Sequence, residues 1–112
     1  MAEHVHVFVY DTARFPDVES ELVRHDVVGG TLFDVEGVGP ALMLSGQTRV
    51  PGTVRRIRPE TLPSFDRSAR VDDGLFRRVG VRVGNTPCWT WVAGAELAQR
   101  LASARTRATG ST

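Results

Sequence analysis

Lysine is missing from all 112 residues, and each of the 14 basic positions is an arginine. Without a side-chain amine, Schiff-base and amine-nucleophile chemistry are excluded. A charge excess is lacking too, since 14 basic against 13 acidic residues leave a net charge of +1. That balance argues against a nucleic-acid partner held by phosphate neutralisation. Cysteine occurs once, at Cys88, so no internal disulfide or thiolate metal site can form. Its place inside an expected strand points to packing rather than nucleophilic work. No apolar run is long enough to cross a membrane, and no basic-then-apolar leader follows Met1, so no membrane partner and a cytoplasmic location are expected. The length supports one domain with one core, and no internal repeat is visible.

What is present is organised around His4-Val5-His6-Val7-Phe8-Val9-Tyr10-Asp11-Thr12-Ala13-Arg14-Phe15. Val5, Val7 and Val9 alternate with His6, Phe8 and Tyr10, so both faces can be buried, as in a central strand. The strand runs into a short polar turn, and such junctions are common places for a binding site.

Further along, Asp17 to His25 has near-helical spacing of Val18, Leu22 and His25 with early acidic residues, which predicts a short helix. Residues 27–33 and 41–45 read as strands joined by a loop over 34–40, and Val50 to Ile57 as another strand, with a bend or bulge at Pro51-Gly52. Arg55, Arg56 and Arg58 at its end read as a solvated face. Pro59 to Arg67 predicts a helical turn pinned by Leu62 and Phe65. The polar loop 71–74 leads into a strand from Leu75 to Val83, then a hairpin turn at Gly84-Asn85 and a strand through Pro87 to Val92. Gly94 to Arg105 is an expected terminal helix with Leu97 and Leu101 on one stripe. The fold class is therefore α+β: about six strands in a small mixed β-barrel with short peripheral helices and one pocket at its mouth. The domain is expected to span 1–104, followed by a disordered tail over 105–112.

The ordered series Phe8-Val9-Tyr10, Gly30-Thr31-Leu32-Phe33-Asp34, Gly39-Pro40-Ala41-Leu42, Val50-Pro51-Gly52-Thr53-Val54, Leu62-Pro63-Ser64-Phe65-Asp66, Leu75-Phe76-Arg77-Arg78-Val79 and Trp89-Thr90-Trp91-Val92 resembles the gamma-glutamylcyclotransferase-like family. The resemblance implies a turn after the first strand whose backbone N–H groups hold a substrate carboxylate. It also implies a glutamate that moves the proton of the substrate's α-amine as 5-oxoproline is released. Two departures stand out. Position 69, where that glutamate would fall, is Ala69, which cannot carry a proton. Asp11 stands where the family has glycine, and two like charges about 4 Å apart repel by about 1 kcal/mol in water and about 4 kcal/mol at an effective dielectric of 20.

Asp11 is thus either an installed general acid or base acting on a neutral or cationic small molecule, or a turn residue bonded to its own backbone. Glu36 in the opposing loop is a second acid-base candidate, and a solvated loop glutamate is its plainer reading. The substrate-binding candidates are Tyr10, Thr12, Ala13, Gly39, Pro40 and Trp91. Core packing explains at least one of Trp89 and Trp91 equally well. Asp66 reads as a local cap or ion-pair partner. His4 and His6 lack a third ligand at a telling spacing, so no metal and no cofactor is expected. His25 is either a proton carrier or a half-exposed surface residue.

Three functions follow from this reading. The first is a divergent enzyme of this scaffold doing cofactor-free acid-base chemistry, a cyclisation, elimination or rearrangement, in specialised metabolite biosynthesis. The second is a non-catalytic small-molecule-binding or scaffolding protein. The third is a γ-glutamyl cyclase using Glu36 as a relocated carboxylate. A homodimer is compatible with so small a domain.

Overall fold

In the computed structural model, which describes residues 3–16 and 18–110 and side chains as far as Ser103, the strand Val5–Val9 (β1) lies at the centre of a mixed sheet. The other strands are β2 (Glu21–Val35), β3 (Gly39–Ile57), β4 (Phe76–Val83) and β5 (Thr86–Ala93), in the order β2-β3-β1-β5-β4. β1 runs antiparallel to β3 from Val5 opposite Ile57 to Val9 opposite Thr53, and parallel to β5 at Val7 opposite Trp89.

The alternation in β1 has the expected effect. Val7 and Val9 join Phe65, Phe76, Trp91 and Leu97 in a cluster on one face, while Phe8 joins Val28, Leu42, Val54, Val83 and Val92 on the other. Each large apolar side chain so buried contributes on the order of 1.5–3 kcal/mol. Helix α1 (Leu62–Ser68) places Phe65 in the first cluster, and helix α2 (Ala95–Gly110) adds Leu97. A 3-10 turn at Pro59–Thr61 leads into α1, and Gly84 at φ 61 makes the β4–β5 turn. The backbone of α2 continues past the expected end at Arg105, and Ser111 and Thr112 lie outside the described residues.

Five expectations are corrected. Residues 41–45 and 50–57 belong to one strand, so the sheet has five strands. Opposite β2 the register passes from Gly30–Thr48 to Thr31–Met43, so Leu44 to Gln47 loop out of β3. The Thr31 hydroxyl donates to the Ser45 carbonyl at 2.7 Å across this bulge, and Gly46 takes φ 106 within it. Pro51 and Gly52, by contrast, stay in register with Val27 and Asp26. Gly52 is needed there for closeness, since a Cβ would come within 2.5 Å of the Phe8 ring.

The helix expected over Asp17 to His25 is also replaced. Asp17 is outside the described residues, 18–20 is irregular, and Glu21 to His25 begins β2. Pairing of Glu21 with Arg56 and of His25 with Thr53 sets this conformation, a long-range partner overriding a local pattern. The loop expected over 34–40 shrinks to a turn at 36–38.

Last, the barrel is not closed. Among the described residues β2 and β4 share no ladder, and Arg24 spans the gap instead. Its Nη2 donates to the Val83 carbonyl at 2.8 Å and to the Thr86 hydroxyl at 3.2 Å, while its Nε donates to the Asp26 carboxylate at 2.8 Å.

Candidate functional site

The segment after β1 is a single 3-10 turn, Thr12–Arg14, entered from an extended Asp11 (φ −140, ψ 91). That turn folds Arg14 back on Asp11, with Arg14 Nε 3.6 Å from Asp11 Oδ2 and side-chain exposures of only 11% and 17%. Arg14 Nη2 donates to the carbonyls of Val38 and Pro40, each at 3.0 Å. The Arg14 guanidinium also lies 4.4 Å from the Phe76 ring centroid. One arginine therefore ties the turn after β1 to the β2–β3 hairpin turn and to β4. Gly39 takes φ 98 in this hairpin turn, a backbone conformation that favours glycine. Gly39 and Pro40 lie against the Arg14 side chain, across from Asp11, and line neither of the grooves described below.

Tyr10 is engaged elsewhere. Its hydroxyl donates to the Trp91 carbonyl at 2.6 Å and accepts the Leu42 N–H at 3.2 Å. Burial pushes the phenol up to about 12, so it stays protonated across the neutral range. Trp91 sits in the core: its ring stacks on Phe65 at 5.0 Å, lies 5.4 Å from Phe15, and its Nε1 donates to Asp66 Oδ1 at 2.9 Å. Asp66 Oδ2 is also 3.5 Å from Arg78 Nη1. This is the local ion-pair role its position suggested.

A groove of about 790 Å³ opens on one side of the 3-10 turn, lined by Thr12, Phe15, Ser20, Arg55, Arg58 and Thr61 among others. Arg55 Nε donates to the Ser20 hydroxyl at 2.6 Å, and Arg56 holds Glu21 through a 2.6 Å contact that lowers the Glu21 carboxyl below its usual range. Arg55 and Arg56 are therefore half-buried groove residues, a correction to the solvated face expected for them; Arg58 is exposed. A shallower groove of about 500 Å³ has Tyr10, Thr12, His25, Val27 and Pro51 in its walls. Thr12 borders both. Ala13 is exposed on the turn, and Glu36 is exposed at the hairpin tip. Neither Asp11 nor Glu36 lines either groove.

Ala69 is fully enclosed within the cluster that holds Phe65, Phe76 and Trp91. The next residue, Arg70, has φ 55, the left-handed conformation that glycine adopts most readily. His4 and His6 border a third cavity of about 530 Å³ with Gly80, Arg82 and Trp89. Among the described residues no three His, Cys, Asp or Glu side chains gather as a metal set. No helix there is long and apolar enough to cross a membrane.

Arg14 is the residue that sequence reading passed over. Its i+3 spacing from Asp11 was a usable signal for an ion pair. Its reach to Val38 and Pro40 was not, because that depends on the hairpin folding across the turn.

The five-stranded α+β fold with its turn after a central strand defines a class, and comparison gives that class its name. The family model described as gamma-glutamyl cyclotransferase, AIG2-like, matches residues 7–109. The chain belongs to that family. Among solved structures, one titled gamma-glutamyl cyclotransferase is similar at a TM-score of 0.65 with 13% identity, over 81% of this chain and 67% of that one. An AIG2-like protein from Mus musculus is similar at 0.68 with 14% identity, over 86% and 83%. An uncharacterized protein from Pyrococcus horikoshii is similar at 0.64 with 19% identity, over 81% and 79%. At these identities the likeness is one of fold. Among curated proteins, none matches the chain by sequence.

Proposed function

We propose that the chain is a member of this family that binds a small molecule beside the turn after β1 and does not carry out γ-glutamyl cyclisation. The observation that carries this reading is the Asp11–Arg14 pair: the one carboxylate placed in the turn is directed at an arginine of the same turn and not at a groove. Ala69 supports it, being a methyl group sealed in apolar core at the position where the resemblance places a proton-carrying glutamate. The 790 Å³ groove beside Thr12, with arginine and hydroxyl donors in its wall, is of the size that metabolite sites have. The test is release of 5-oxoproline from γ-glutamyl amino acids and γ-glutamyl amines by the purified protein. No release above background is expected, and turnover abolished by Glu36→Gln would replace this reading with a relocated-carboxylate cyclase.

A second reading keeps cofactor-free acid-base turnover at Asp11. Its support is the shielding of that side chain, 17% exposed, in the turn that the resemblance makes a substrate cradle. An Asp11→Asn variant that keeps full turnover of any substrate found would remove it.

A further inference from the structure

Trp89 and Trp91 alternate onto one face of β5, yet only Trp91 is enclosed. Trp89 is 38% exposed and stands in the wall of the cavity of about 530 Å³. Beside it the strands part, since β1 and β5 are joined by the single bridge of Val7 and Trp89, and Val5 and Pro87 do not pair. The volume is of the order that small-molecule sites have.

The indole is held in place. The Arg78 guanidinium lies 4.9 Å from its ring centroid, and Arg78 Nη1 is in turn 3.5 Å from Asp66 Oδ2. The ring extends over Gly80, its partner across the β4–β5 ladder. Gly80 is the residue that points to a ligand. A glycine inside a strand weakens the sheet, and nothing in the fold demands this one. Its φ is not left-handed, and an added Cβ would meet only the Trp89 ring, at an ordinary 4.0 Å. The missing side chain leaves the floor beneath the indole clear.

Arg82, two residues beyond Gly80, is exposed and diagonal to Trp89 across the same ladder, within reach of one small molecule on that face. Among the described residues Arg82 has no carboxylate partner, and no Asp or Glu lines the cavity. A fixed indole with a guanidinium at its edge is complementary to a flat ring that carries an anion. The ring stacks on the indole, and the guanidinium fork takes a carboxylate.

We propose that this cavity binds a planar aromatic carboxylate, with Trp89 as the stacking platform, Gly80 as the cleared floor and Arg82 as the partner of the anion. The site is on the β5 side of β1, whereas the groove beside Thr12 is on the β3 side, and the two share only His4 in their walls. It therefore stands apart from what the Thr12 groove binds.

The experiment follows the two indole N–H resonances of the isotope-labelled full chain as 2-naphthoate is added, with Trp89→Phe giving their assignment. Trp91, buried with its Nε1–H on Asp66, is the internal control. A saturable shift of the Trp89 resonance alone is expected. Arg82→Gln is expected to weaken 2-naphthoate about tenfold and to leave the uncharged 2-naphthylmethanol unaffected. Cyclohexanecarboxylate, which has the charge without the flat ring, is expected to bind about tenfold more weakly than 2-naphthoate. Gly80→Val separates the site from the fold: its melting temperature is expected to be unchanged or higher, because a β-branched residue suits a strand, while 2-naphthoate binding weakens about tenfold. Should Gly80→Val not fold, Gly80→Ser is judged by the same criteria. An unshifted Trp89 resonance, equal weakening of acid and alcohol by Arg82→Gln, or undiminished binding in the folded position-80 variant each overturns the proposal. So does a Trp89 shift that tracks protein concentration without the probe, which would show that a second copy covers this face.

Discussion

The Tyr10 hydroxyl donates to the Trp91 carbonyl at 2.6 Å while accepting the Leu42 N–H at 3.2 Å, so one phenol joins the end of β1 to both β5 and β3. It is the only tyrosine, and there is no lysine, so no side-chain amine obscures its titration. Its acidity is weakened to about 12 by burial. A folded-state value raised above the unfolded one of about 10 means that its contribution is whole below pH 10 and is lost as pH rises through about 12. Two units correspond to about 3 kcal/mol. Phenolate absorbance at 295 nm should therefore stay flat to about pH 11 in the folded chain, and unfolding free energy should fall between pH 10 and 12. Tyr10→Phe, which strips Leu42 of its partner, is expected to cost about 1–3 kcal/mol by denaturant titration and to flatten that alkaline fall.

Much of the fold was legible where the pattern is local or strictly periodic. β1 could be read as a central strand because Val7, Phe8 and Val9 are apolar on consecutive alternating positions, which only two covered faces can use. The Gly84-Asn85 turn and the α1 anchor at Phe65 were legible for the same local reason. The segment from Glu21 to His25 was not, because its partners lie about thirty residues away on β3. At the candidate site the turn after β1 could be located, and Gly39 and Pro40 placed opposite it. What the side chains do there could not be read: Asp11 turns to Arg14, Tyr10 spends its hydroxyl on two backbones, and Trp91 points into the core.

Arg24 closes by a side chain what the sheet leaves open by backbone, joining β2 to Val83 and Thr86. Arg24→Gln should cost about 1–2 kcal/mol, since the groups it satisfies are at the surface and half-exposed. Its signature is local. Amide exchange should quicken in β2 near residues 24–28 and around the β4–β5 turn, with β1 unchanged. Uniform acceleration throughout the sheet would show that the contact is not a local fastening.

Arg70 follows α1 at φ 55, and its side chain pairs with Asp73 at 2.9 Å on the exposed surface. The left-handed conformation costs an ordinary residue about 1–2 kcal/mol, and the greater freedom of glycine in the unfolded chain gives back about 0.5–1 kcal/mol. Arg70→Gly is therefore expected to stabilise by about 0.5 kcal/mol, read as a higher denaturant midpoint at unchanged slope.

Ala69 is where a carboxylate would have to return if the chemistry implied by the resemblance were to be restored, and it is enclosed among apolar side chains with no exposure. Ala69→Glu should destabilise by about 2–4 kcal/mol at pH 7, because a buried charge without a partner must either stay desolvated or take up a proton. Burial raises the folded-state value of such a glutamate above its unfolded value of about 4.3, so the deficit relative to wild type shrinks as pH falls toward 4 and is full at neutral pH. Chemical unfolding of both proteins at pH 4.5 and pH 7 measures this directly. A deficit equal at the two pH values would mean that the new side chain had escaped to water, and that position 69 can open to solvent after all.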